Sequence, residues 1–221
     1  MSLEERARRQ RALDRAAGTV EACRTCAIGS TRTRSVFGEG DPCASLMVVG
    51  EGPGENEDKL GRPFVGRAGE LLDRMLLAID LPREDVFICN TVKCRPTLDD
   101  GTRLRNRAPD PTELRNCRPY LDEQIDIIRP RVILAVGAPA AKTFMGETFA
   151  ISKQRGIWFP GPAGIPVIAT FHPAYILRLT GGEMNGVKRL VWEDLKKVRA
   201  RLDEPTPTGQ VGSPQVPLFE S

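Results

Sequence analysis

Two groups of residues in this sequence have types and spacings that chemistry uses. The first is sulfur. Cys23-x-x-Cys26 has the spacing of a ligand pair, and Cys94 and Cys117 offer two more thiols. Spacing alone leaves zinc and an iron–sulfur cluster equally open. It also leaves open a surface CxxC beside unrelated core cysteines. A zinc ribbon usually shows two tight pairs, and here 22 residues separate Cys94 from Cys117. Cys89 lies in an apolar run and reads as core. Cys43 follows Asp41-Pro42 in a turn and receives no role. No export signal is visible, so disulfides are not expected and a cytoplasmic location is.

The second group is a set of loops that combine glycine, carboxylate, amide and imidazole. Gly50-Glu51-Gly52-Pro53-Gly54-Glu55-Asn56-Glu57-Asp58 resembles a phosphate cradle and fails as one. It lacks the Gly-Lys-Ser/Thr ending, Glu55 stands where a GxGxxG motif needs its last glycine, and four carboxylates repel phosphate. Carboxylates beside open backbone suit a water nucleophile or a developing positive charge instead. An acidic turn capping the next helix explains the same residues as well. Phe64, between Pro63 and a glycine-rich stretch, is either a helix staple or a stacking plate for a flat ring. Asn90 offers a donor and an acceptor to the edge of a base, although asparagine also commonly ends a strand. His172 is the only histidine, and Pro173 follows it. A sole imidazole there suits catalysis, with a capped core residue as the ordinary alternative. No Ser/His or Cys/His site can be built without it.

These loops need elements to hold them. The chain has 221 residues, 40% of them hydrophobic and 28% charged, with a net charge of +3. That is enough chain for a large core and too little charge to bind nucleic acid without a local basic face. No apolar run reaches membrane-spanning length. Short apolar runs at 46–49, 86–89, 132–136 and 167–170 read as buried strands. Helical spacing runs through 3–17, 67–79, 111–128, 138–145 and 185–202, with Asp110 as a cap and Pro111 in the first turn. Residues 24–45 and 95–111 read as loops. Strands alternating with helices predict a parallel sheet covered on both faces, with the site beyond the strands' carboxyl ends. That rule selects the loops after Val49, Cys89, Val136 and Thr170, and three of them carry the residues named above.

At these residues the chain resembles the family-4, iron–sulfur uracil-DNA glycosylases. The matching segments are Gly50 to Gly54 with Glu57-Asp58, Gly61 to Gly69, Asn90 with Val92 to Pro96, and His172 to Tyr175. Together they span about residues 20–200. The resemblance implies a three-layer α/β/α sandwich around a four-stranded parallel sheet. It implies excision of uracil from DNA by base flipping, leaving an abasic site. It also implies a [4Fe-4S] cluster on Cys23, Cys26, Cys94 and Cys117, although the Cys94–Cys117 interval is longer than the family's usual one. The extra segment holds Asp99-Asp100-Gly101 and Arg103, Arg105 and Arg107.

Carried over by motif position, Phe64 stacks on the flipped ring and Asn90 reads its edge. The backbone at Glu51, Gly52 and Pro53 lines the pocket, and His172 bonds uracil O2. A carboxylate handles the water: Glu57 first, Glu51 second, Asp58 third. Arg95, Lys153, Arg155 and Arg178, with the basic 103–107 segment, are expected at phosphates, and Ile176-Leu177 as an apolar wedge. The histidine that a related subfamily uses to bond the abasic sugar is absent from the loop after the second strand. Two other readings compete: a protein that binds uracil-containing DNA without cleaving it, and a zinc-stabilised nucleotide-binding protein. Residues 1–204 are expected to form one glycosylase domain, with a charged helix at 1–18, acting as a monomer. Residues 205–221 are expected to form a flexible Pro/Gly-rich tail. Its Gln215-Val216-Pro217-Leu218-Phe219 is similar to the motif that docks bacterial DNA enzymes on the sliding clamp.

Overall fold

The computed structural model describes residues 2–205, so the 215–219 motif lies outside the described residues. Four strands form the expected parallel sheet: β2 (Leu46–Gly50), β3 (Phe87–Asn90), β6 (Val132–Val136) and β8 (Pro166–Thr170). Every residue of β2, β3 and β6 is buried, because helices cover both faces and no side chain can alternate toward water. Two short antiparallel strands extend the sheet at its edges. They are β1 (Glu39–Gly40) beside β3 and β7 (Trp158–Pro160) beside β8, giving the order β1-β3-β2-β6-β8-β7. Both edges carry glycine or proline, which blunts them and hides them from pattern reading.

Two apolar layers sandwich the sheet. On one face, α1 (Leu3–Ala22) and α5 (Pro111–Ile128) pack Leu13, Val20, Leu121 and Ile125 against Met47, Phe87 and Ile133. The opposite face takes α4 (Arg67–Leu77) and α9 (Gly181–Asp203), through Leu72, Leu76, Val191 and Leu195 over Val48, Ile88 and Leu134. Each such side chain contributes roughly 1.5–3 kcal/mol on burial. α5 starts as its sequence demands. Asp110 accepts from the N–H groups of Thr112 and Glu113 at 2.7 and 2.8 Å, Glu113 accepts from Asp110 N–H at 2.8 Å, and Pro111 fills the first turn.

The 95–111 segment is more ordered than a loop. It forms a hairpin of β4 (Thr97–Asp99) and β5 (Leu104–Asn106), with Leu98 paired to Arg105. Its arginines are largely committed to the protein. Arg107 grips Glu113 with both terminal nitrogens at 2.8 and 2.6 Å, and Arg105 pairs with Asp100. Arg103 is exposed.

The end of β8 is anchored from below. Thr170 Oγ1 donates to Asp194 Oδ2 at 2.7 Å, and Arg155 pairs with the other oxygen of this fully buried carboxylate. Arg155 also donates to Leu190 O at 2.9 Å and lies over the Phe171 ring. It is therefore not the free phosphate contact that its sequence position suggests. Its charge is consumed in holding the strand end that leads into His172.

Candidate active site and sulfur site

The carboxyl ends of β2, β3, β6 and β8 open into one cleft of about 770 Å³. Glu51, Gly52, Pro53, Glu57, Phe64, Asn90 and His172 all line it, so the loops selected by the sheet rule do converge. Arg178 and Tyr175 stand at the same cleft, as do Asn106 and Arg107 of the hairpin region.

Asn90 is the last residue of β3 and is 2% exposed. Among the described residues no protein group hydrogen-bonds its carboxamide, which leaves both ends free for a ligand edge. It sits beside Gly50, the last residue of β2. A Cβ on Gly50 would overlap the Asn90 carboxamide oxygen and stand 2.6 Å from Phe64 Cζ. Only a residue without a side chain lets these two groups approach the same point.

Phe64 itself is held in an uncommon conformation, with φ of +50°. Three neighbours hold it there. Glu57 Oε1 accepts from Val65 and Gly66 N–H at 3.0 and 3.2 Å. Arg83 donates to Phe64 O at 3.3 Å and to Pro63 O at 2.5 Å. Gly69 opens α4 so closely over Phe64 that any Cβ there would collide with the Phe64 carbonyl. Strain of this kind costs on the order of 1–3 kcal/mol and persists only where the surroundings over-determine it. The result is a buried ring whose centroid lies 5.7 Å from that of His172, at an interplanar angle of 26°.

His172 caps the short helix α8 (Pro173–Ile176). Its Nδ1 accepts from Ala174 N–H at 3.0 Å, which assigns the ring proton to Nε2. Burial pushes its pKa down to about 4, with the nearby Arg178 cation acting the same way and Glu57 opposing. The imidazole is thus neutral at pH 7 and serves as a donor through Nε2.

The three candidate carboxylates have different surroundings. Asp58 is buried and both its oxygens accept from Thr33 N–H, at 3.0 and 3.1 Å, so it ties down the 24–45 segment. Glu57 lines the cleft, yet it also accepts from Gly54 N–H at 3.1 Å, giving it three backbone donors. Glu51 has no such partners among the described residues, and burial raises its pKa. The surroundings therefore set the two cleft carboxylates apart: Glu57 is engaged with the backbone of the Phe64 loop, and Glu51 has no hydrogen-bond partner among the described residues.

Several expected DNA contacts also need correction. Ile176 is 2% exposed and packs in the core on the α4 and α9 face, so it is no wedge. Arg95 is 8% exposed, donates to Asn106 Oδ1 at 2.7 Å and lies 3.7 Å from Glu55, pinning the hairpin. Lys153 and Arg178 are exposed, and Leu177 is half-buried.

On the far side of β3 the four cysteines of the expected set come together. Cys23, Cys26, Cys94 and Cys117 line one cavity with Arg32, Lys93, Asn116 and Tyr120. Three of the sulfurs receive N–H donors. Arg32 reaches Cys94 at 2.8 Å, Lys93 N–H reaches Cys117 at 3.2 Å, and Asn116 reaches Cys26 at 3.3 Å. Among the described residues no three His, Cys, Asp or Glu side chains are gathered as a single metal ion requires. Cys89 is a core residue, as expected, and Cys43 stands apart from the cavity.

Comparison with known proteins agrees with this geometry. The family model described as the Uracil DNA glycosylase superfamily matches residues 37–196. The chain belongs to the uracil-DNA glycosylase superfamily, and within it to the type-4 branch. A type-4 uracil-DNA glycosylase of Thermotoga maritima is 46% identical over 182 residues, covering 82% of this chain and 90% of the relative. One from Sulfurisphaera tokodaii is 45% identical over 188 residues, covering 81% and 80%. A type-5 enzyme of Pyrobaculum aerophilum is more distant, at 31% over 180 residues, covering 73% and 72%. No helix among the described residues of this glycosylase-family chain is long and apolar enough to cross a membrane.

Because His172 is the sole histidine, its titration is open to direct reading. NMR of the imidazole Cε1–H group will show no titration between about pH 5.5 and 8. A midpoint near 6.5 contradicts the buried neutral donor.

Proposed function

We infer that this protein is a uracil-DNA glycosylase of DNA repair, hydrolysing the N-glycosidic bond and leaving an abasic site. The observation that carries the reading is the convergence of Asn90, Phe64, His172 and Glu51 on one cleft, in a chain of this superfamily. A protein that only bound DNA would have no use for a half-buried carboxylate, without a partner among the described residues, in the same cleft as a neutral imidazole donor.

The base must leave the helix stack to enter such a cleft, and a mispaired uracil leaves it most cheaply. Phe64 then covers the ring face. The Asn90 carboxamide accepts from N3–H and donates to O4. Cytosine presents donor and acceptor changed at the same edge, and the unpaired groups reject it. His172 Nε2–H donates to O2, where negative charge gathers as the base departs. Because the imidazole is already neutral, it stabilises this anion as a donor without a proton having to move first. The sugar becomes oxocarbenium-like, and Glu51 stabilises it while orienting the water that attacks C1′. Glu57 acts one step back, by keeping Phe64 in place. Lys153, Leu177 and Arg178 supply backbone contacts at the rim, in a cytoplasmic enzyme working as a monomer.

We propose that Cys23, Cys26, Cys94 and Cys117 hold a [4Fe-4S] cluster. The residues fit such a group. Four thiols ring a cavity, and N–H donors aimed at sulfur favour the thiolate form that a cluster needs. Burial pushes the Cys117 thiol up to about 11. The cluster supplies cross-linking of the N-terminal segment, the end of β3 and α5, while the chemistry of base release stays with the cleft. We further read Gln215–Phe219 as a clamp-docking peptide.

The carboxylate assignment is tested on a uracil-containing oligonucleotide. Glu51→Gln lowers base release roughly 100- to 10,000-fold and removes the acid limb of the rate. That limb lies above the ordinary carboxylate range, since activity falls as pH drops through the raised pKa of Glu51. Glu57→Gln costs chiefly stability, on the order of 1–3 kcal/mol, because its amide NH2 must face at least one of the three N–H donors that the carboxylate accepted. Full activity of Glu51→Gln refutes the assignment. Deleting residues 214–221 lowers clamp affinity and leaves release from a free oligonucleotide unchanged. An unaltered clamp affinity removes the docking reading.

A further inference from the structure

Lys93 is a residue that the base-release chemistry does not use, and its placement is unusual. It lies between Asn90, which reads the base, and Cys94. Its side chain is 1% exposed and is among the largest fully buried in the molecule. The ammonium donates to Asn90 O at 2.7 Å and to Gln124 Oε1 at 2.6 Å. Both acceptors are neutral, and no carboxylate among the described residues comes within ion-pair distance of it. A buried ammonium without a counter-charge is strongly disfavoured, so this position requires negative charge from elsewhere. The same residue lines the cysteine cavity, and its backbone N–H donates to Cys117 Sγ at 3.2 Å. Four thiolates outnumber the positive charge of a resting cubane core or of a zinc ion. The loaded site is thus net negative, and Arg32 and Lys93 are the cations beside it.

We propose that Lys93 is a positioning residue that joins the sulfur site to the base-reading amide. The negative charge of the loaded cysteines holds the ammonium in the interior. The ammonium in turn holds the Asn90 carbonyl, which fixes the end of β3 and aims the Asn90 carboxamide into the cleft. Gln124 completes the tether, because its amide nitrogen donates to Phe37 O at 2.8 Å and cannot swing away. The inference rests on the cluster reading above and assigns the cluster a specific task. It organises base recognition from behind the strand, beyond any general stiffening of the fold.

The test uses the full chain purified without oxygen, as parent, Lys93→Met and Gln124→Glu. The second variant is near-isosteric and gives the ammonium a carboxylate of its own, drawing its charge away from Asn90 and the sulfurs. Three quantities are read: iron per chain, the midpoint potential of the cluster, and inhibition of base release by free uracil. Both variants are expected to shift the potential negative, since a cation near the cluster is removed or neutralised. Both are also expected to weaken inhibition by uracil about tenfold. Should Lys93→Met fail to fold, Gln124→Glu decides alone. Unchanged potential and unchanged uracil inhibition in a variant that keeps the parent's iron content overturn the proposal. A parent that carries no iron overturns the cluster reading itself, and the iron assay separates that failure from the first.

Discussion

The cleft depends on the absence of one side chain. Gly50 ends the central strand β2, and the space its Cβ would fill is shared by the Asn90 carboxamide and the Phe64 ring. Parallel strands bring their carboxyl ends to one edge by topology alone. Topology does not bring a carboxamide and an aromatic ring within reach of the same ligand. That needs a missing atom at the strand end between them. His172 and Glu51 reach the same space from β8 and from the residue after Gly50, so the whole constellation is arranged around this gap.

Around that gap, neighbouring residues of like chemistry are sorted by their surroundings. Three carboxylates within eight positions do three jobs. Asp58 fastens a distant loop, Glu57 caps backbone donors and locks Phe64, and Glu51 has no hydrogen-bond partner among the described residues and is partly shielded from solvent. The imidazole follows the same logic. Its Nδ1 is spent on capping α8, so Nε2 is left as a donor, and burial keeps the ring uncharged. Pre-organised donors cost no rearrangement when charge develops on the base, which is where such sites gain rate.

Much of this was legible in the sequence, for a physical reason. Strands buried on both faces are apolar along their whole length, so β2, β3, β6 and β8 announced themselves, as did the capped start of α5. The glycine-flanked loops at their ends followed from the parallel topology. What could not be read was partnership across long separations. Arg155 looks like a free cation until Asp194, 39 residues away, is placed against it. Arg95 looks free until the hairpin brings Asn106 to it, and Ile176 looks like an exposed wedge until α8 turns it inward. Glu57 and Glu51 are indistinguishable as letters and separate only through the amides that surround them. Lys93 left no signal, because an isolated lysine beside an apolar strand ordinarily snorkels to water. The β4–β5 hairpin and the two edge strands escaped because runs of two or three residues carry no period.

The claim that the cleft is built around Gly50 is tested most directly by adding one methyl group there. For Gly50→Ala, uracil release from a uracil-containing oligonucleotide is predicted to fall roughly 100-fold. Circular dichroism of the same sample should show a folded chain. A Gly50→Ala protein that folds and releases uracil at the parent's rate would contradict the account.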